Sequence, residues 1–208
     1  IDRRYQLYLG IVFLAVFAMF LPQSLSSNFL QNERGLSLGQ IGQLGSISSL
    51  GVVVLNLSLG QLDPRKGFLV GQAAVGLFAL LMWIGTGIPW FVVAYFLLGG
   101  NRTARALASA HTREFVQQSN MGLAYGVTET VSSAAIILAG PLAGYLYSLN
   151  PIWIYPASLG LAGISILSGA WFFISQKPQP ASPHKPTSDP GFEERIFPNA
   201  ETHTIEGE

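Results

Sequence analysis

Long apolar segments alternate with short polar breaks over the first 175 residues of the chain. Each segment has about 20 or more mostly apolar residues, the length that an α-helix needs to cross the hydrocarbon core of a bilayer. The breaks contain residues that end helices, among them Gly35, Pro64, Gly87 and Pro151. The pattern predicts an all-α integral membrane domain, residues 1–175, with six transmembrane helices. We place these helices at 6–30, 37–62, 67–86, 89–113, 119–147 and 151–175.

The last part of the chain, residues 176–208, has a different composition. It contains six prolines and six acidic residues and few apolar side chains. Such a segment cannot bury enough apolar surface to offset the entropy lost on ordering. We therefore predict a disordered tail after the sixth helix.

Composition supports a location in lipid. Hydrophobic residues make up 50% of the chain and charged residues 11%, against roughly 25% charged in an average soluble domain. The mean hydropathy is +0.41. The formal net charge of zero gives no basis for a nucleic-acid partner, and the absence of cysteine excludes disulfides and thiolate metal sites. We expect the bilayer as a partner and neither a cofactor nor a metal.

Basic residues predict the orientation of the helices. With the N-terminus in the cytoplasm, one basic residue, Arg34, falls on the outer side. The residues that fall on the cytoplasmic side are Arg3, Arg4, Arg65, Lys66, Arg113 and Lys177. The opposite orientation would reverse that ratio. We therefore expect a plasma-membrane protein with both termini and the tail in the cytoplasm.

The fourth predicted span carries two arginines, Arg102 and Arg105. Counted from Pro89, Arg102 lies about 20 Å along the helix, well inside a hydrocarbon core about 30 Å thick. A guanidinium cannot lose its proton to avoid the cost of burial in lipid, so it has to face protein, water or an anion. For Arg102 we expect a functional contact or an ion pair. Arg105, one turn further on, is expected to extend to the cytoplasmic headgroups.

The carboxylate of Glu129 lies near the middle of the fifth predicted span. At about 15 Å from Ser119 it is close to the midplane, where a carboxylate has to be paired or protonated. The sequence leaves two hypotheses open. Glu129 gains and loses a proton during transport, or it forms a permanent ion pair with Arg102 or Arg105 that only stabilises the bundle.

Asn56 places an amide within the second predicted span, on the same helical face as Ser46, Ser49 and Gly60. The serines and the glycine favour close packing of helices. An amide in hydrocarbon needs hydrogen-bond partners. For Asn56, a position lining a cavity and a hydrogen bond to another helix are equally consistent with the sequence.

Three elements of the sequence resemble the major facilitator superfamily, over residues 5–175. After its second helix that family has a loop of glycine, three residues, an acid, arginine, one residue and glycine. Gly60, Arg65 and Gly67 match this loop, whereas Pro64 replaces the acid and Asp63 precedes it by one position. In the family the loop helps to gate the cytoplasmic side. The resemblance implies that role for Arg65 and, at a shifted position, for Asp63.

The other two elements lie in the fourth and fifth spans. Arg102 or Arg105 resembles an arginine that the family places within its fourth helix. Gly140, Pro141 and Gly144 resemble an element of the fifth helix that is associated with exchangers. Pro141 removes a helix hydrogen bond, which predicts a bend, and the spaced glycines of this span predict close packing.

The resemblance implies that the chain is one six-helix half of a twelve-helix transporter. The degenerate loop and the acidic tail look more like the C-terminal half. The second half would come from the same gene product upstream or from another copy. The implied function is secondary active transport of a small-molecule substrate by alternating access, with proton-coupled export favoured by the fifth-span element.

A different class of function competes with transport. The chain could serve as a membrane scaffold or sensor that moves no solute, with a cytoplasmic tail that recruits a partner. We expect no enzyme activity, because the three histidines are scattered without a metal-site spacing and no nucleophile with an adjacent base is visible.

Overall fold

The computed structural model describes residues 3–116 and 118–175, and this part of the chain contains helices and turns and no strand. The predicted tail, 176–208, lies outside the described residues. The α-helices are α1 (Arg3–Gln23), α2 (Ser26–Asn32), α3 (Leu38–Leu59), α4 (Pro64–Ile84), α5 (Ile88–Leu98), α6 (Gly100–His111), α7 (Met121–Leu149) and α8 (Ile154–Ser175). Short 3₁₀ turns occupy Thr112–Phe115, Gln118–Asn120 and Pro151–Trp153.

Five helical segments in the described part of the chain are long and apolar enough to cross a membrane. They are Arg3–Asn32, Leu38–Leu59, Pro64–Ile84, Gln118–Leu149 and Pro151–Ser175. Each matches a predicted span to within three residues at either end.

The fourth predicted span, 89–113, is not one long helix. It consists of α5 and α6, of 11 and 12 residues, which meet at Gly99. The N–H of Gly99 bonds to the carbonyl of Phe96 at 3.2 Å, so the helix tightens locally. Gly99 keeps right-handed helical angles, φ −54° and ψ −26°, and the chain therefore continues in a helical turn from α5 into α6.

Local sequence signals fix where helices begin. Ser37 and Gln40 form a capping box at the start of α3: the Ser37 hydroxyl accepts from the Gln40 N–H, and the Gln40 amide oxygen accepts from the Ser37 N–H. Asp63 caps α4 by accepting the Arg65 N–H at 2.9 Å, with Pro64 at the first helical position. Gly35, with φ +69°, makes the turn that precedes α3.

The helices pack around α1 and α4. α4 contacts α5, α6 and α8, while α1 contacts α7 and α8. α3 packs mainly against α5 and α6. Among the five candidate spans, α3 and the Gln118–Leu149 segment that contains α7 are the least buried. In their most apolar stretches, 11% and 22% of the residues are buried. Both therefore present large faces that no described part of this chain covers.

Exposed tryptophans lie at both ends of the bundle. At one end, here called the basal end, α1, α4 and α7 begin and α3, α6 and α8 end. Exposed Trp83, Trp90 and Trp153 lie at the opposite, far end, and exposed Trp171 lies near the basal end. Tryptophan at both ends of an apolar bundle is typical of the two interfaces of a bilayer.

Backbones approach closely where glycines face neighbouring helices. A Cβ added to Gly99 would lie 2.4 Å from the backbone carbon of Gly51, and one added to Gly51 would lie 2.1 Å from the carbonyl oxygen of Phe96. Between α4 and α6, a Cβ added to Gly71 would lie 2.8 Å from the Cβ of Ala104. Small residues thus let α3 contact α5, and α4 contact α6, at backbone distance.

The glycines of α7 behave differently from the sequence prediction. Apart from adjacent residues and the backbone of α7 itself, no described atom lies within 4 Å of a Cβ added at Gly122, Gly126, Gly140 or Gly144. The close packing predicted there does not occur within the described chain, because these positions lie on the uncovered side of α7. Pro141 lies inside α7, which runs without interruption from Met121 to Leu149.

We expect Gly51→Ala to destabilise the protein by about 1–3 kcal/mol, since the added methyl group has to displace the backbone of α5. Gly42→Ala is the matched control on the same helix, because nothing lies within 4 Å of its added Cβ. Thermal unfolding of the purified protein in detergent measures both. Equal melting temperatures for the two variants would contradict the close contact of α3 with α5.

Candidate functional site

The orientation of α6 about its axis separates its side chains into a buried group and a group open to solvent. Thr103, Ala104 and Leu107 are buried against the bundle. Arg102 is exposed on the other side, and Arg105 and Ser109 are partly buried beside it. Spacings of three and four residues place these three side chains on one helical face. The tight contact of Ala104 with Gly71 of α4 holds α6 in this orientation.

An open pocket of about 410 Å³ lies on this face of α6 and against α7. Its lining residues are Arg102, Arg105, Ala106, Ser109 and Glu129. Three of the sequence-predicted site residues, Arg102, Arg105 and Glu129, are therefore brought together in space.

Glu129 forms an ion pair with Arg105, whose guanidinium donates to the carboxylate. The pair is partly open to solvent, with 27% of the Arg105 side chain and 56% of the Glu129 side chain exposed. Of the two partners left open by the sequence, the structure selects Arg105. The guanidinium also lies 5.9 Å from the ring centre of Phe20 on α1.

The Arg105 side chain does not extend toward the basal end, the direction that the sequence prediction gave it. Phe20 lies three residues before the far end of α1, so the guanidinium that covers it points away from the basal end. Side chains on a helix lean toward its N-terminus, and the N-terminus of α6 lies toward the interior of the bundle. The carboxylate of Glu129 meets the guanidinium there.

Arg102 has no hydrogen bond or ion pair with any residue that the structure describes, and its side chain is exposed to the pocket. The ion pair expected as one alternative for Arg102 is thus formed by Arg105 instead. The other alternative for Arg102, a functional contact, stays a prediction.

Asn56 makes the interhelical hydrogen bond that the sequence allowed. The Thr103 hydroxyl of α6 donates to the Asn56 amide oxygen at 2.7 Å. The serines on the same face of α3, Ser46 and Ser49, bond to carbonyls of their own helix and are exposed. Packing of these serines against another helix, which we expected, does not occur within the described residues.

A second amide contact beside Arg102 was missed by sequence reasoning. Asn101, which is buried, donates to the amide oxygen of Gln23 at 2.7 Å and so links α6 to the far end of α1. The signal was present, because an amide inside a predicted span needs a partner just as Asn56 does.

Hydroxyl groups fix the helix that carries Glu129. Tyr5 of α1 donates to the carbonyl of Ala124 at 2.8 Å and lies 3.0 Å from the hydroxyl of Thr128, the residue before Glu129. Thr112 lies 3.2 Å from the same Thr128 hydroxyl. These buried contacts tie α7 to α1 and to the end of α6 next to the ion pair.

The loop predicted to act as a gate lies at the basal end. Arg65 forms an ion pair with Glu114, in the 3₁₀ turn after α6, while Asp63 caps α4. Gly60 ends α3, and a Cβ added to Gly67 would meet the side chain of Leu107 at 2.4 Å. Glu114 was not among the predicted site residues, although it directly follows the fourth predicted span.

His111 is buried beside this ion pair. Its Nδ1 lies 2.9 Å from Glu114 Oε1, but the two groups are not aligned for a hydrogen bond. The imidazole packs edge-on against the rings of Tyr8, Phe115 and Phe173. Within the described residues no group of three potential metal ligands comes together.

A double-mutant cycle tests the pairing. Arg105→Gln and Glu129→Gln are expected to show a coupling of about 0.5–1 kcal/mol, modest because the carboxylate is more than half exposed. Arg102→Gln with Glu129→Gln is the matched cycle and should show a smaller coupling. Melting temperatures of the purified variants give both values, and a larger coupling for Arg102 would reverse the assignment.

Comparison with curated proteins finds no match. The family model described as Major Facilitator Superfamily matches residues 7–203, which is most of the chain. Members of this family are membrane transporters of small-molecule substrates and are generally not enzymes. The helical bundle with candidate membrane spans agrees with that match. The chain is an integral membrane protein that belongs to the major facilitator superfamily.

Proposed function

We propose that the protein is a secondary active transporter that moves a small solute by alternating access and couples this movement to protons through Glu129. The observation that carries the proposal is the ion pair of Arg105 with Glu129 on the open face of the bundle. Because the pair is partly open to the pocket, both protons and a solute can reach it.

The position of the pair suits proton coupling. Glu129 lies eight residues after the start of α7, about 12 Å along the helix, and Arg105 lies six residues before the end of α6, about 9 Å from it. The pair is therefore within the apolar part of the bundle. Protonation of Glu129 removes the charge that holds Arg105 and leaves the guanidinium free to find another partner.

Two further elements fit a moving bundle. Pro141 has no N–H to donate to the carbonyl one turn before it, so α7 lacks one helix hydrogen bond on the C-terminal side of Glu129 and can bend there more easily. Arg65 and Glu114 join the start of α4 to the segment after α6, and breaking this pair would let the basal side open. Export in exchange for protons is the direction that the Gly140, Pro141 and Gly144 element supports.

Charge at the two ends supports a cytoplasmic basal end. Arg34 lies at the far end, where it donates to the carbonyl of Trp83. The described basic residues at the basal end are Arg3, Arg4, Arg65, Lys66 and Arg113. An excess of basic residues marks the cytoplasmic side, so we place the basal end, where the described chain begins at Arg3 and ends at Ser175, in the cytoplasm. The membrane we propose is the plasma membrane. Lys177, counted in the sequence prediction, lies outside the described residues.

A second six-helix half is the partner that fits the uncovered faces of α3 and α7. Both helices carry glycines at which an added Cβ would meet nothing among the described residues, including Gly42 and Gly45 on α3 and Gly126 and Gly140 on α7. Such positions allow another helix to approach closely. The second half would come from the same gene product or from another copy of this chain.

Glu129→Gln tests proton coupling. We expect gradient-driven solute accumulation to fall about tenfold or more, because the amide cannot carry the proton. The intact protein is placed in membrane vesicles with a mixture of small metabolites, and mass spectrometry measures which solutes accumulate with and without a pH gradient.

Glu33→Gln is the matched control for that experiment, because this exposed carboxylate ends α2 at the far end and lies outside the pocket. It should retain transport. Undiminished proton-driven accumulation in Glu129→Gln would remove Glu129 from the coupling mechanism. Absence of any transported solute with the unaltered protein would remove the transport function.

Gly140→Leu tests whether a second six-helix half packs against α7. Because a Cβ added there would meet nothing among the described residues, a lowered melting temperature or loss of a single peak in size-exclusion chromatography would reveal a neighbour from outside them. We expect a loss of about 1–3 kcal/mol. Gly163→Leu on α8, which is also unobstructed, is the control and should be tolerated. Equal tolerance of both changes would argue against a partner on α7.

A further inference from the structure

We infer that the transported solute carries an anionic group, a carboxylate or a phosphate, and that Arg102 binds it. This inference rests on the proposed transport function and names the substrate class of the same pocket. It follows from three properties of the pocket: its excess of hydrogen-bond donors, its excess of permanent positive charge, and the lack of a protein partner for Arg102.

The donors in the pocket outnumber the acceptors. Arg102 and Arg105 each carry five N–H donors, and Ser109 adds a hydroxyl. Among the pocket side chains the carboxylate of Glu129 is the charged acceptor, and Arg105 already occupies it. The Nε of Arg105 is buried and has no hydrogen-bond partner among the described residues. A ligand that fits this pocket has to supply acceptors.

Charge leads to the same conclusion. Two guanidinium groups, those of Arg102 and Arg105, line the pocket between α6 and α7. Glu129 is the carboxylate that faces them, since the nearby Glu114 pairs with Arg65. Guanidinium groups stay charged, so the pocket attracts anions and repels cations.

Arg102 is the group with the strongest need for such a ligand. It lies nine residues before the end of α6, about 14 Å along the helix, too deep for its charge to be placed in lipid without a partner. No described residue supplies that partner. The planar guanidinium fits a carboxylate or a phosphate through two parallel hydrogen bonds.

The geometry also suggests how solute and proton would be linked. When Glu129 takes up a proton, Arg105 loses its counter-charge, and a second guanidinium becomes available one turn from Arg102. An anionic group could then contact both arginines. When Glu129 is ionised, it competes with the solute for Arg105. The pocket volume of about 410 Å³ is in the range for a small ligand.

Transport by the intact protein in liposomes tests the inference. The solute mixture has four arms: small carboxylates, small phosphates, small amines and uncharged sugars. We expect solutes of the carboxylate or the phosphate arm to accumulate, and which of the two arms responds identifies the anion. Arg102→Gln should lower this accumulation about tenfold to a hundredfold, since a charge-assisted contact is lost.

Two further variants separate binding from general effects of charge. Arg102→Lys keeps the charge but not the paired hydrogen bonds, so it should fall between the unaltered protein and Arg102→Gln. Arg3→Gln removes one positive charge from an exposed position outside both the pocket and the gate loop and should leave accumulation unchanged. Accumulation of amines or sugars alone, or equal losses in Arg102→Gln and Arg3→Gln, would overturn the inference.

A binding measurement keeps the inference testable if no solute moves. Millimolar succinate, benzoate and inorganic phosphate are added separately to the purified protein at constant ionic strength, and the melting temperature is recorded. A rise with one of these anions that Arg102→Gln abolishes supports the anion site even where the transport function fails. No rise with any of them, in a protein that also moves no anion, would overturn it.

Discussion

The contact between α4 and α6 is the constraint on which the arrangement of the charged groups depends. Gly71 lets Ala104 approach so closely that a Cβ added there would lie 2.8 Å from the Cβ of Ala104. Such a contact allows little rotation of α6 about its axis. It directs Thr103 toward α3 and leaves Arg102 and Arg105 on the opposite, open side.

The orientation of α6 matters because it decides what each arginine faces inside the membrane. A guanidinium at this depth has no neutral form to adopt, so each arginine requires an anion or water on the side it faces. Arg105 obtains the carboxylate of Glu129, which α7 brings within reach because Tyr5 and Thr128 tie that helix to α1. Arg102 obtains no protein partner among the described residues. Because Glu129 neutralises Arg105 and no described carboxylate neutralises Arg102, the pocket has an excess of positive charge.

An amide side chain inside a membrane span needs a hydrogen-bond partner on another helix. The sequence shows which residues carry such amides but not their partners. Asn56 was recognised as an amide that needs a partner, and it bonds to Thr103. Gln72 required the same reasoning, since it is buried in α4 and accepts from Ser165 of α8 at 2.8 Å. The partner of each amide was beyond prediction, because the sequence does not state which helices are neighbours.

The sequence by itself determined the class of the protein, the positions of most helices along the chain and how far along its helix each charged residue lies. These follow from properties local to the chain: apolar length, residues such as Ser37 and Asp63 that begin helices, and a fixed rise per residue. The tertiary structure decided that Glu129 pairs with Arg105 and that Arg102 stays open to the pocket. Rotation about a helix axis is set by contacts between distant parts of the chain, and no local pattern records it.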